Sequence, residues 1–158
     1  FLILLAKERG IDIFMLPILW ILLHISKAAS SIPAGILSDK IGRKKMIISG
    51  WIVYALVYLG FGFLRDGYIF WGLFACYGLF FGLTEAAERA LISDLAPEDL
   101  RGTAYGLYHL AIGVSILPAS LIMGALWQTF GIKVAFATGA TLALTATILF
   151  TLLIKSDL

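Results

Sequence analysis

Ionisable side chains interrupt long apolar runs at His24 and Lys27, at Glu85, Glu88 and Arg89, and at His109. Carboxylates, imidazoles and an amine can pair, relay protons or hold a charged ligand. Burying one of them in hydrocarbon costs at least ~2.5 kcal/mol on insertion scales, so each calls for a partner, a water-filled cavity or a function. On a helix advancing about 100° per residue, Pro17, Trp20, His24, Lys27, Ala28, Ser31 and Gly35 share one face. Gly78, Gly82, Glu85 and Arg89 share another, with Glu88 to one side. Glu85 and Arg89 are spaced i, i+4 with the acid first, the favourable order for a pair within one helix. Counted from the loops at ~1.5 Å per residue, Lys27 and Glu85 both lie roughly 15 Å deep, so they are expected to meet across a helix interface. Two readings stand. Either the stripes face a polar cavity, with Lys27 and Glu85 as its charged floor and His24 and Glu88 as proton or substrate contacts, or Lys27, Glu85 and Arg89 form an ion network that touches no substrate. His109 lies nearer the end of its run, where ordinary hydrogen bonding is the plainer expectation.

The elements that must position these groups are membrane spans. The 158 residues are 61% hydrophobic and 14% charged, with a mean hydropathy of +0.98; too few polar residues remain to cover a surface in water. Apolar runs at 11–37, 46–64, 68–95, 103–130 and 134–154 are each long enough to cross a bilayer, and residues 1–6 read as the tail of a truncated helix. The expected fold is therefore all-α: a polytopic membrane helical bundle of five complete transmembrane helices plus a truncated one. No basic segment precedes residues 1–6, which sets them apart from a signal peptide. Pro17, Pro33 and Pro118 fall within runs and predict kinks, which suit gating and also occur in static bundles. Gly78 with Gly82, and Gly102 with Gly106, are spaced for close helix packing. Tyr68, Phe70, Trp71, Trp127 and Phe130 fit an aromatic belt at one interface.

Composition also excludes functions. A net charge of +2 is spread over loops with no patch suited to nucleic acid. Cys76 is the one cysteine, so neither an internal disulfide nor a thiolate metal cluster can form. There is no His-Glu-x-x-His, Gly-x-Ser-x-Gly or P-loop lysine pattern and no ligand spacing for a metal, so no cofactor is expected. A membrane-embedded acid/base site built from Glu85, Glu88 and His24, and a pore or structural subunit, remain the competing classes.

The stretch 35–45 joins two apolar runs and carries Lys40, Arg43, Lys44 and Lys45. The positive-inside rule places it in the cytoplasm. Five crossings then put the two ends on opposite sides, with Lys155 inside; restoring the truncated helix gives six crossings with both ends cytoplasmic. Gly35 lets a neighbouring backbone approach, Asp39 can cap a helix start, and Gly42 permits positive φ. Arg43, Lys44 and Lys45 anchor the next helix at the headgroups. An ordinary cytoplasmic hairpin explains the same residues less specifically.

The order Gly35, Leu37, Asp39, Lys40, Gly42, Arg43, Lys44 resembles the signature loop of the major facilitator superfamily of secondary transporters, Gly-x-Leu-x-Asp-Arg/Lys-x-Gly-Arg/Lys-Arg/Lys. Asp94 and Arg101, seven positions apart, resemble the acid and arginine before the penultimate helix of a half in that family. The resemblance implies a salt-bridge latch of Asp39, Arg43, Asp94 and Arg101 at the cytoplasmic face, holding the outward-open state. Residues 113–124 depart from the Gly-Pro-x-x-Gly-Gly pattern of antiporter amino-terminal halves and look more like an eleventh helix, and 155–158 look like a tail. The implied unit is one domain, 1–158, the carboxy-terminal six-helix half with helices 8–12 and the end of helix 7. An amino-terminal half is the alternative, favoured by the completeness of the signature. The implied partners are the missing amino-terminal half, a small-molecule solute with H+, and the lipid bilayer of a plasma membrane. The implied activity is alternating-access transport, proton-coupled or facilitative, with antiport and export among the family's modes.

Overall fold

A computed structural model describes residues 1–154. Lys155 and the tail at 155–158 lie outside the described residues. A short helix α1 (Leu2–Glu8) is followed by a single 3-10 turn (Ile13–Met15) and then by α2 (Leu16–Ile41), α3 (Arg43–Phe63) and α4 (Gly67–Leu95). After a second 3-10 turn (Glu98–Leu100) come α5 (Arg101–Phe130) and α6 (Ile132–Leu153). Among the described residues there is no strand, and five helices are long and apolar enough to cross a membrane. The expected all-α, five-span architecture is what the chain forms.

Local chemistry sets the helix ends. Gly42 is the single residue between α2 and α3, with φ 97°, a backbone conformation that costs glycine little and other residues more. The turn is as tight as the sequence predicts. α4 begins on Asp66, whose carboxylate accepts from the amides of Tyr68 and Ile69 at 2.8 and 3.4 Å, satisfying two donors of the first turn. Pro17 does not kink its helix. It sits in the first turn of α2, where its missing amide would have had no partner. Pro33 and Pro118 are interior and remove the bonds to the carbonyls of Ala29 and Val114.

The helices alternate in direction between the end that carries Gly42, called here the hinge end, and the opposite end. α2 lies along α4, α3 sits between α4 and α6, and α5 is joined mainly to α6. The α2–α4 seam is close because Gly78 packs on the Leu23 carbonyl and Gly82 on Ser30 and the Lys27 carbonyl; a Cβ at either position would collide. Beside it the Ser26 hydroxyl donates to the Ala75 carbonyl at 2.6 Å. The pair Gly102 and Gly106 behaves otherwise, with open space at both positions.

Toward the opposite end Leu5, Leu19, Phe61, Phe70, Phe74 and Phe136 form the main core, and near the hinge Ala34, Met46, Ile47, Ala87 and Leu91 form a smaller one. Phe70, expected in an aromatic belt, is 2% exposed because helical phase turns it onto Phe61 and Phe74. Trp127 likewise packs on Phe1 and Phe136. Tyr68 and Phe130 are exposed as a belt requires. No residue of α5 is buried.

Candidate functional site

The glycine seam brings α2 and α4 together one turn short of their charged residues. Lys27 Nζ lies 2.5 Å from Glu85 Oε2, and Arg89 Nη2 lies 3.0 Å from Glu85 Oε1. One carboxylate thus holds a cation on each oxygen, one from each helix. The Lys27 ammonium also stands 5.4 Å from the centre of the Phe81 ring, within range of cation–π attraction. Lys27 and Glu85 are about a third exposed, so the pair is open on one side. That side is a recess of about 350 Å³ lined by Phe1, Leu2, Ile3, Trp20, Leu23, His24, Lys27, Tyr58, Tyr77 and Phe81. His24 is exposed and meets the edge of Trp20, ring centres 6.2 Å apart. A larger and more apolar recess of about 760 Å³ follows α2 past Pro17, Ile21, Ile25 and Ala28.

Glu88 does not share this recess. It points toward α3 and α5, where the Trp51 indole N–H donates to Oε1 at 3.3 Å and the Tyr108 hydroxyl donates to Oε2 at 2.6 Å. The Tyr105 hydroxyl donates to the Arg89 carbonyl at 2.9 Å, so two tyrosines one helical turn apart fasten α5 to α4. Trp51, Tyr105 and Tyr108 were missed by the sequence reading. The i, i+3 spacing of the tyrosines is the one signal that marked them. His109 stacks edge-on against Tyr108, centres 5.1 Å apart, is exposed, and among the described residues makes no hydrogen bond. The ordinary hydrogen bonding expected of it is absent because α5 turns it away from the bundle.

At the hinge end Arg43 joins three groups: it pairs with Asp39, donates to the Ser38 hydroxyl at 3.3 Å, and reaches Asp94 Oδ2 at 3.4 Å. The end of α2, the start of α3 and the end of α4 are thereby tied. Asp39 lies in the last turn of α2 and accepts from Arg43; it does not cap α3, which starts on Gly42 without a side-chain cap. Arg101, in the first turn of α5, is exposed and among the described residues has no ion-pair partner. Lys44 is no headgroup anchor, for its ammonium turns back to the Thr151 carbonyl at 2.9 Å and to the Ile154 carbonyl. There it caps the C-terminal end of α6, where the dipole favours a cation. Lys45 is exposed. Gly35 has nothing within 4 Å of where a Cβ would stand, so no helix of this chain approaches it. No cluster of three or more metal-ligating side chains occurs among the described residues.

A family model described as Major Facilitator Superfamily matches residues 1–157. The chain belongs to this superfamily. It is 43% identical over 145 residues to an uncharacterised MFS-type transporter of Methanocaldococcus jannaschii, covering 91% of this chain and 35% of that protein. It is 32% identical over 135 residues to the multi-drug resistance efflux pump PmrA of Streptococcus pneumoniae, covering 84% of this chain and 33% of the pump. Against the inner membrane transport protein YajR of Escherichia coli it is 32% identical over 124 residues, 77% of this chain and 26% of that protein. The chain therefore spans about a third or less of each of these relatives. The superfamily is one of multi-pass membrane transporters, not of enzymes, and the five apolar helices fit it; the bacterial and archaeal origin of these relatives fits a plasma membrane.

Proposed function

We propose that this chain is the carboxy-terminal half, short of most of its first helix, of an alternating-access secondary transporter that couples a small solute to protons. The observation that carries the reading is the Lys27–Glu85–Arg89 network, held between two packed helices beside an aromatic recess. Ions at membrane depth on a cavity wall mark solute and ion pathways. The open space beside Gly35 and the absence of any buried residue on α5 support an absent amino-terminal half as the covering partner. The Asp39–Arg43–Asp94 cluster supports a cytoplasmic latch of three residues, from which Arg101 drops out. Export of a drug agrees with the name of the pneumococcal relative, a multi-drug resistance efflux pump.

Flux through the full-length carrier in sealed vesicles, with and without a proton gradient, tests the proposal. Gradient-dependent accumulation is expected; dissipative conductance would make the protein a pore. A purely structural network remains the second reading, favoured by the occupation of both Glu85 oxygens. It predicts that Lys27→Gln and Glu85→Gln lower stability while transport per folded molecule stays unchanged.

A further inference from the structure

Resting on the transport reading above, we infer that the solute is a small organic monoanion with an aromatic body, taken up by Lys27 together with one proton carried on Glu88. The two carboxylates of α4 are partnered in opposite ways. Both oxygens of Glu85 face cations, which can only donate, so a proton there would have to displace one of them. Glu88 is satisfied by neutral groups alone. Trp51 can only donate, but the Tyr108 hydroxyl can donate or accept by rotating its hydrogen. When a proton settles on Oε2, Tyr108 turns to accept it, Trp51 keeps its bond to Oε1, and both contacts survive in either protonation state. The charged and titratable groups near the Glu88 carboxyl are Glu85 and Arg89 on its own helix, Tyr108 with the adjoining His109 on α5, and Lys27 of α2 behind Glu85. α3 presents Trp51, and α6 presents Phe150 tilted against that indole; neither titrates.

Charge balance then names the solute. Lys27 and Arg89 against ionised Glu85 and Glu88 sum to zero. Residues three apart on a helix are neighbours, ~5–6 Å between Cβ atoms, so protonating Glu88 leaves the cluster with one net positive charge in a medium that screens it poorly. A monoanion at Lys27 restores neutrality, whereas an organic cation would add to the excess. The walls beside Lys27 are Trp20, Tyr58, Tyr77 and Phe81, and the recess of about 350 Å³ admits a single-ring acid.

The full-length carrier, purified in detergent, is titrated near neutral pH with benzoate, benzyl alcohol and benzylammonium, three solutes of one body and different charge. Benzoate is expected to bind in preference to the others and to draw about one proton per molecule from a weakly buffered dye solution, as linkage requires. E88Q, fixed in the neutral state, is expected to bind benzoate without proton uptake, which also reports that it folds. K27Q is expected to weaken benzoate binding by at least about tenfold, the worth of a charge-assisted hydrogen bond. Preference for benzylammonium, or undiminished proton uptake by E88Q, overturns the inference. Either result can occur with gradient-driven accumulation intact, while absence of gradient-driven flux for every solute overturns the transport reading instead.

Discussion

Replacing Gly78 by alanine tests whether the α2–α4 seam is what holds the ion network in place. The new Cβ would overlap the Leu23 carbonyl oxygen and stand 2.8 Å from Ser26 Cβ, where carbon atoms ordinarily rest ~3.5–4.0 Å apart. A carbonyl cannot rotate aside as a side-chain end can, so the two helices must part by about 1 Å. That stretches the 2.6 Å bond from Ser26 to Ala75 to the limit of a hydrogen bond. Overpacking costs ~1–3 kcal/mol and a bond between membrane helices ~0.6 kcal/mol, offset by ~1 kcal/mol from the better helix propensity of alanine. The net destabilisation is about 0.6–2.6 kcal/mol. Gly72, on the same helix, has open space at its Cβ position, so Gly72→Ala keeps only the propensity gain of ~1 kcal/mol. Equilibrium unfolding of the full-length carrier in mixed micelles separates the two variants. Equal unfolding midpoints would refute the close seam and, with it, the account of how Lys27 reaches Glu85.

Exchanging the charges, Lys27→Glu with Glu85→Lys, is expected to recover part of the transport lost in either single variant at matched membrane abundance, because both ends of the bond persist; uptake in cells reads this out, and no recovery means the pair is not what matters. The single variants should destabilise by well under the ~3–5 kcal/mol of a broken, fully buried pair, since both side chains keep about a third of their exposure. Lys44→Gln removes the cation from the end of α6 and should cost ~0.3–1 kcal/mol in the same unfolding measurement. Arg101→Gln, with no partner among the described residues, should cost nothing measurable there, while Arg43→Gln should lower the midpoint. A cysteine at Lys45, in a Cys76→Ser background, is expected to resist an impermeant maleimide in intact cells and to react once the membrane is opened. Labelling from outside would invert the orientation.

What could be read from the sequence was whatever a single helix determines. The five spans were legible because each is a long, mostly apolar run, and the Lys27–Glu85 contact because depth along two helices can be counted without knowing how they pack. Helix ends were less legible. The first complete span was expected to end at 37, yet α2 continues through Asp39 and Lys40 to Ile41, because Asp39 pairs with Arg43, Lys40 is exposed, and nothing stops the helix before Gly42. Beyond the α2–α4 pairing that the Lys27–Glu85 contact implies, which helices are neighbours was not legible. Lys44 reaches a carbonyl 107 residues away, and Glu88 turns to an indole on α3 and a phenol on α5; no count of residues along α4 foretells either. Arg101 shows the reverse case, where spacing matched a family pattern and the side chain found no acid among the described residues.

Four of the long helices bury side chains in a shared interior, whereas α5 buries none and only leans Met123 and Trp127 on its edge. Displacing α5 along the bundle therefore disturbs that edge without opening a layer of buried α5 side chains. The resistance to such travel is local: two phenol hydroxyls gripping α4 and a seam along α6. One of those phenols can hold its carboxylate either as donor or as acceptor, so the grip on this thirty-residue rod outlasts a change of one charge beneath it.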